Sequence, residues 1–431
     1  MDAMGIMILI FLGCIVIGVP VAVSAGVAAM IALLMIGEPL QVMALTVYTS
    51  VDNYPLVAVP CFILAGLLMQ KCGLAKRLTN LANSLIGNIH GGLGLVSITG
   101  CGFFAALTGS GPATTAAIGS VMVPSMKEEG YDAGYSGAVV ACAGGLGVVI
   151  PPSIPLILYG VIAEVSITKL FLAGVAPGLL LAILLGATNY IYARKHGYIS
   201  SERKLSIANV MTNLNDAKWA LFAPIIILGG IYSGIFTPTE ASVVAILYSL
   251  LIGFVFYRTL TIVDFLEALQ QAAKLTGIAF IIIFTTMVLG EILTVNDVPQ
   301  KLTAGLLSIT DNRYVLILLV DFMILFLGMF MGVIPMLVLL TPILMPVILT
   351  LGVDPILFGI IFVIAAEIGF ETPPVGATLY IAVPIAGTSI EKISKAAVWL
   401  ILAEVVGLIL ISWFPILTLF LPELFKPMLG G

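Results

Sequence analysis

Charge is what this chain has least of. Only 9% of its 431 residues are Asp, Glu, Lys or Arg, where a soluble domain carries about 25%. With 61% of residues hydrophobic, no packing could cover the apolar surface in water, so a soluble globular fold is excluded and a polytopic membrane protein is expected. Cysteine is sparse and unpatterned: Cys14, Cys61, Cys72, Cys101 and Cys142 are scattered and odd in number. That excludes a disulfide framework or a Cys/His zinc site and leaves them as small packing residues. The net charge of −5, with no basic run, excludes a nucleic-acid surface. There is no Gly-x4-Gly-Lys-Ser/Thr loop, so energy has to come from an ion gradient or a partner. GCGFFA at 100–105 lacks a βαβ setting. SITK at 166–169 is a common accident of the Ser-x-x-Lys pattern. An intramembrane enzyme would need a catalytic pair that this sequence does not offer. No basic stretch precedes the first apolar segment, which therefore reads as retained rather than cleaved.

What is present is a series of apolar runs. A helix needs about 20 apolar residues to cross the hydrocarbon core, so the length allows on the order of ten to twelve crossings or half-crossings. Residues 3–37 form one long tilted helix or two elements breaking near Gly18-Val19-Pro20. After a wetter stretch with Glu38, Asp52 and Asn53, an apolar helix covers 54–70. Residues 71–88 place Leu74, Leu78, Leu81 and Leu85 at helical spacing beside Lys71, Lys76 and Arg77, the pattern of an interfacial amphipathic helix. The uncharged run 91–126 is interrupted by TGSGP at 108–112. This predicts a re-entrant hairpin, which survives at membrane depth only where protein or water satisfies its backbone. Residues 133–163 contain GGLGVVIPPS at 144–153, where glycines weaken the helix and Pro151-Pro152 remove backbone donors.

After a helix at 168–193, a polar connector covers 194–218. Its Arg194, Lys195, Arg203, Lys204 and Lys218 favour the cytoplasmic side. The second half reads as apolar segments at 219–236 and 239–257, an interfacial piece at 264–274, an apolar helix at 276–293 and an amphipathic piece at 296–312. A second hairpin at 314–350 has Gly328, Gly332 and Pro335 near its tip. A second broken helix at 355–386 carries EIGFETPPVG, and a closing helix covers 393–420.

The two halves repeat. Gly147 and Gly369, Pro151 and Pro373, and Pro152 and Pro374 all stand 222 apart, as do Pro124 and Pro346, Gly130 and Gly352, Asp132 and Asp354, and Gly137 and Gly359. Upstream the spacing is 224: Arg77-Leu78-Thr79 faces Lys301-Leu302-Thr303, Ser84 faces Ser308 and Asn88 faces Asn312. The domain plan is a first repeat at 1–193 (scaffold 1–90, hairpin and broken helix 91–163), the connector 194–218, and a second repeat at 219–431 (scaffold 219–312, hairpin and broken helix 313–387). With an odd number of crossings in each half the repeats are inverted. Twin broken helices at matching positions are the best sequence pointer to a transporter's binding site.

At such breaks, carbonyls at helix C-terminal ends coordinate Na+ and helix N-terminal ends attract a carboxylate. Thr108, Ser110 and Thr114 lie at the first tip, Ser153 follows the first Pro-Pro, and Thr372 and Thr378 flank the second. The plainer reading is that these small residues let helices pack closely. Carboxylates at membrane depth each need a reason. Glu367 and Glu371 share a helix face beside the second break, Asp321 sits inside an apolar run, and Glu164, Glu240, Glu291 and Glu404 fall near segment ends. They could attract cations or handle protons, or simply lie at interfaces. An H+-coupled organic-anion transporter working without a binding protein is the alternative reading. His90 and His196 read as solvent-facing.

GSGPATTAAIGSVMVPSM, GGLGVVIPPSIPLILYG and ETPPVGATLYIA together resemble the large membrane subunit of tripartite ATP-independent periplasmic (TRAP) transporters, over nearly the whole chain and nearest to the sialic-acid type. The resemblance implies an all-α elevator-type secondary transporter of the bacterial inner membrane, with scaffold and transport domains. It implies Na+-driven uptake of a carboxylate such as N-acetylneuraminate, delivered by a soluble periplasmic binding protein and braced by a small four-helix membrane subunit. Two or more Na+ ions and no organic cofactor are implied. Thr108, Ser110 and Gly111 at the first tip, with Gly145 and Gly147 in the first break, would form one Na+ site. Gly332 at the second tip, with Gly369, Glu371 and Thr372 in the second break, would form the other. Substrate would sit near Thr114, Pro152, Ser153, Pro374 and Thr378. The tips differ, Ser110-Gly111-Pro112 against Gly332-Val333-Ile334, so the two ligand sets cannot be identical.

Overall fold

Apolar runs of this length satisfy their own backbone groups only as helices, and the described residues contain no strand beyond one bridge between His90 and Ile199. The structure is a computed structural model that describes residues 3–86, 89–199, 206–310 and 312–425. Pro20 splits the first apolar run into α1 (Ala3–Val16) and α2 (Val21–Ile36), so the run is two elements. Next come α3 (Gln41–Val51), a short turn at Tyr54–Val57, α4 (Ala58–Lys71) and α5 (Leu74–Leu85). The first hairpin is α6 (Gly92–Thr108) and α7 (Gly111–Glu128), and the first broken helix is α8 (Ala133–Gly144), α9 (Leu146–Val149) and α10 (Ile154–Ile162). A long α11 (Ile167–His196) ends the first half.

The second half runs α12 (Ile207–Tyr232), α13 (Pro238–Leu251), α14 (Ile262–Val295) and α15 (Val298–Ile309). Its hairpin is α16 (Arg313–Gly328) and α17 (Val333–Thr350), and its broken helix is α18 (Pro355–Glu371) and α19 (Ala377–Ala386). The chain closes on α20 (Ile390–Trp413) and α21 (Ile416–Leu424). Among the described residues, seven helices are long and apolar enough to cross a bilayer, eight if the pair bent by 40° at the first break counts as one span.

The structure differs from expectation in several places, among them the closing helix, which Pro415 divides into α20 and α21. No proline interrupts 262–295, so the expected interfacial piece at 264–274 and the apolar segment after it are one helix of 34 residues. The first half carries Pro55 at the corresponding place and breaks there. The polar connector is shorter than 194–218, because α11 extends to His196 and Ser206 caps α12 through Asn209 N. Arg203 and Lys204 of the connector, and Asn88 of the repeat, lie outside the described residues. Finally, α5 buries Leu74, Leu78 and Leu81 while Leu85 is 50% exposed, because the helix packs on α6, α7 and α12. The α4–α5 corner is tied to the second half: Lys71, at the end of α4, reaches Glu267 at 2.6 Å and Asp264 at 3.5 Å, and Arg77 of α5 pairs with Asp216 and covers the Tyr257 ring at 3.8 Å.

The repeat is structural as well as sequential. Asp132 accepts from Tyr135 N at 3.0 Å to cap α8, and Asp354 accepts from Ile356 N at 2.7 Å to cap α18. Gly130 and Gly352 both take positive φ, +83° and +63°, just before those caps. Thr79 and Thr303 donate to the carbonyls of Ala75 and Pro299, and Ser84 and Ser308 to those of Leu81 and Gly305. Both Pro-Pro bonds, Pro151-Pro152 and Pro373-Pro374, are cis. The halves also pack on each other's counterparts: α4 on α13 as α2 on α14, and α7 on α19 as α17 on α10.

Candidate functional site

The first tip and the first break form one unit. Gly109, at φ +61°, turns the chain between α6 and α7. Its carbonyl accepts from Ile154 N at 3.3 Å, which joins the tip to the start of α10. Thr108 Oγ1 and Thr114 Oγ1 lie 3.0 Å apart, and Thr114 Oγ1 donates to Ser110 O at 2.8 Å. A Cβ at Gly147 would lie 2.6 Å from Ser110 O and 2.8 Å from Thr114 Oγ1, so the break fits the tip only because Gly147 has no side chain. Ser153 is fully buried; its Oγ donates to Val148 O at 2.5 Å and accepts from Leu156 N at 3.2 Å. It is therefore occupied as the cap of α10.

At the second tip the close approach is between glycines. A Cβ at Gly328 would meet Ala366 O at 2.9 Å, and one at Gly369 would meet Gly328 Cα at 2.7 Å. Gly332 itself is looser, with Pro335 and Phe370 no nearer than 3.6 Å to a Cβ. Thr372 donates to Ile368 O at 2.6 Å, and Thr372 N donates to Gly369 O at 2.9 Å. Thr378 is fully buried and its hydroxyl has no partner. Pro374 is exposed where Pro152 is buried, so the second break is the more open of the two.

The two tips meet at one cavity of about 550 Å3. Ser110 and Gly332 both line it, as do Val148 and Ile154 from the first break, Pro20 to Val23 from α2, and Ile278, Ile281 and Ile282 from α14. The wall is mostly apolar and, among the described residues, includes no lysine or arginine. What it offers an anion is helix ends. Pro20, Ser110 and Gly332 precede α2, α7 and α17, and these three helices start at the wall; α10 starts there too, but its Ile154 and Leu156 N–H groups are taken by Gly109 O and Ser153 Oγ and Pro155 has none. Helix N-termini carry partial positive charge and free N–H groups.

The structure thus gathers Thr108, Ser110, Gly111, Thr114, Gly145 and Gly147 in one seam, and Gly369, Glu371 and Thr372 around the second break. It does not bring the expected substrate residues to the cavity: Thr114, Pro152, Ser153, Pro374 and Thr378 are absent from its wall, while Ser110 and Gly332, expected as Na+ ligands, are in it. The oxygen-only donor set of the first seam suits a hard cation, and the backbone carbonyls packed between Gly328 and Gly369 offer the same chemistry. When bound there, Na+ would supply the positive charge that this part of the wall lacks. Glu367 lines the cavity too, and Glu404 faces Glu371 from α20. Glu404, expected near a segment end, lies inside α20, and its sequence signal is its isolation in the otherwise uncharged run 396–411. Asp321, 4% exposed, accepts from Ser412 Oγ at 2.7 Å and belongs to the packing of α16 on α20. Glu240 is exposed in a capping box with Thr237, and Glu291 accepts from Thr46 at 2.6 Å.

Comparison with known proteins places this architecture. Residues 8–417 match the family described as the tripartite ATP-independent periplasmic transporter, DctM component. The isethionate TRAP transporter permease protein of Oleidesulfovibrio alaskensis is 40% identical over 94% of this chain; the match spans 64% of that relative's length. The sialic acid TRAP transporter large permease of Vibrio cholerae is 37% identical over 96% of this chain and 97% of its own. The C4-dicarboxylate TRAP transporter large permease of Pseudomonas aeruginosa is 36% identical over 93% and 94%. Among solved structures, the Alcanivorax borkumensis YdaH transporter, described as having an unusual topology, aligns with a TM-score of 0.61 at 13% identity over 87% of this chain and 88% of that one, which shows a shared fold. The hairpins, the paired Pro-Pro breaks and a family match over nearly the full length lead to one conclusion: this chain belongs to the DctM family of TRAP large permease subunits and is a multi-pass transporter component of the bacterial inner membrane, not an enzyme.

Proposed function

We propose that this chain carries out Na+-driven uptake of a small organic anion delivered by a periplasmic binding protein, with a small four-helix membrane subunit bracing its scaffold. The substrate we assign is a carboxylate, with sialic acid the first to test. The observation that carries the reading is the cavity between the tips, a mostly apolar wall onto which the N-termini of α2, α7 and α17 open. Such a site favours a carboxylate without a fixed basic residue. It also leaves the charge balance to bound cations, which is how an ion gradient becomes coupled to an anion. The relatives are named for isethionate, sialic acid and C4-dicarboxylates; all are small oxyanions, and the match to the sialic-acid relative does not stand above the others. Movement is by an elevator step in which the hairpins and broken helices travel as a body against α2, α4, α13 and α14.

The test is uptake of radiolabelled N-acetylneuraminate, isethionate and succinate into proteoliposomes holding this chain, its small subunit and a binding protein, under separate Na+ and H+ gradients. Uptake of one anion that needs both Na+ and the binding protein is the expected result. Uptake driven by H+ alone, without a binding protein, would overturn the Na+ reading in favour of the self-sufficient H+-coupled transporter.

A further inference from the structure

Beside the first break lies a second polar cluster, which shares Glu367 with the wall of the cavity between the tips. The ligand atoms of Cys142 on α8, Glu371 on α18 and Glu404 on α20 all fall within 4.8 Å of one another. Glu367, one turn before Glu371, lines the same small space with Gly145, Leu146 and Leu181. The three glutamates are 4%, 0% and 4% exposed. Among the described residues, both oxygens of Glu367, both of Glu371 and one of Glu404 have no hydrogen-bond donor. None of the described ion pairs reaches them.

An independent observation comes from the first hairpin. Thr115 is fully buried on α7, and its hydroxyl also has no partner. It occupies the room left by the missing side chain of Gly144, as Glu367 occupies that beside Gly111 and Glu371 that beside Gly145. Thr115, Glu367 and Glu371 thus each set an unpaired oxygen against a glycine of the first half. The space among the glutamates is about 10 Å3, close to the lower bound for one water-sized particle. Carboxylates so close together repel, and buried without partners they are costly at membrane depth. A small hard cation relieves both, and oxygen donors outnumber the one sulfur.

We propose that Glu367, Glu371 and Glu404 hold one alkali cation, Na+ under the function proposed above, in the seam between α8, α18 and α20. This site is distinct from the one at the first tip; it takes Glu371 out of the second-tip set, where Gly332, Gly369 and Thr372 remain, and sets side chains of the second half against glycines of the first. It rests on the Na+ reading, and it makes Glu404, in the closing helix, part of the ion inventory that moves with the hairpins.

The experiment is equilibrium binding of radiolabelled Na+ to the purified full-length chain in detergent, with choline replacing Na+ and pH held constant. Glu404→Gln is expected to bind one Na+ fewer per chain than wild type. Glu404→Asp, the variant that keeps the charge, is expected to keep the count at weaker affinity, and it serves if the glutamine variant does not fold. Ser110→Ala, at the tip, is expected to lose a different ion, so that the double variant Ser110→Ala/Glu404→Gln loses two. Wild-type stoichiometry in Glu404→Gln, or wild-type affinity in Glu404→Asp, would overturn this site while leaving Na+ coupling intact. A wild-type chain that binds no Na+ at all would overturn both readings, and the two failures are thereby distinguished.

Discussion

A methyl group at Gly147 would lie 2.6 Å from the Ser110 carbonyl oxygen, while one at Gly102 would find its nearest neighbour, Ile150 Cδ1, at 3.8 Å. The two positions are both helical glycines of the first half, so substitution separates the fit of the tip from the general effect of losing a glycine. Overpacking a tight interior contact costs about 1–3 kcal/mol. Gly147→Ala is expected to lower the thermal unfolding midpoint by several degrees and to abolish Na+-dependent uptake, because the break can no longer close on the tip. Gly102→Ala is expected to change neither; thermal melts and uptake assays on the two variants read the difference. Asp321 makes a separate case at the same scale. Its one partner is the Ser412 hydroxyl, and Ser412→Ala leaves a buried carboxylate with nothing to accept from. The expected loss is about 1–3 kcal/mol of stability, measured by chemical unfolding in detergent, with Asp321→Asn in the Ser412→Ala background restoring part of it.

At the scale of the element, the pair Asp132 and Asp354 tests whether the halves are equivalent in energy as well as in form. Each caps the first turn of a broken helix by accepting from backbone N–H groups. Replacing a capping Asp by Ala costs typically about 1 kcal/mol. Asp132→Ala and Asp354→Ala should therefore destabilise by similar amounts, and the double variant by their sum, since the two caps share no partner; melting curves of the three variants check this. Elements of this kind were legible in the sequence because Gly, Pro and Asp act through the backbone, and their effect depends on local geometry alone. The hairpin tips, both breaks and the repeat follow from such residues. What the sequence could not place was the cavity wall. Whether Ser153 faces a ligand or caps a helix depends on how α10 meets α9, and whether Pro20 joins the site depends on how α2 crosses the tips. Glu404 shows the same limit from the other side. Its isolation among apolar residues marked it as unusual, but nothing local says that α20 sets it against α18. The continuity of α14 was readable from the absence of proline, yet its polar first half suggested an interfacial piece. The ion pairs from Lys71 to Asp264 and Glu267 show why that half is helical and polar at once.

For the whole molecule, the elevator reading requires that contacts between the hairpins and the flanking helices break and reform in each cycle. One such contact is well placed for a test. Gly66 of α4 faces Thr108 at the end of α6, and a Cβ at Gly66 would lie 3.3 Å from Thr108 Cα. Two cysteines there fall within the reach of a disulfide. The pair G66C/T108C, in a background with the five native cysteines replaced, is expected to crosslink on oxidation and to lose the Na+-dependent uptake that the reduced protein shows, a level itself lowered because Thr108 is an expected Na+ ligand. A second pair, G26C/T285C, joins α2 to α14, where a Cβ at Gly26 would lie 3.3 Å from Thr285 Cγ2. Both of those helices belong to the flanking body, so crosslinking them should leave uptake intact. The comparison matters because a rigid-body displacement and a local gating motion make different demands on these contacts. If the tips merely open and close in place, α4 and α6 never separate, and the G66C/T108C crosslink is harmless. If the hairpins travel, that crosslink holds them in one position while the G26C/T285C crosslink does not. Uptake by oxidised G66C/T108C protein equal to that of the reduced protein, with crosslinking confirmed by mass spectrometry, would exclude the elevator movement for this chain.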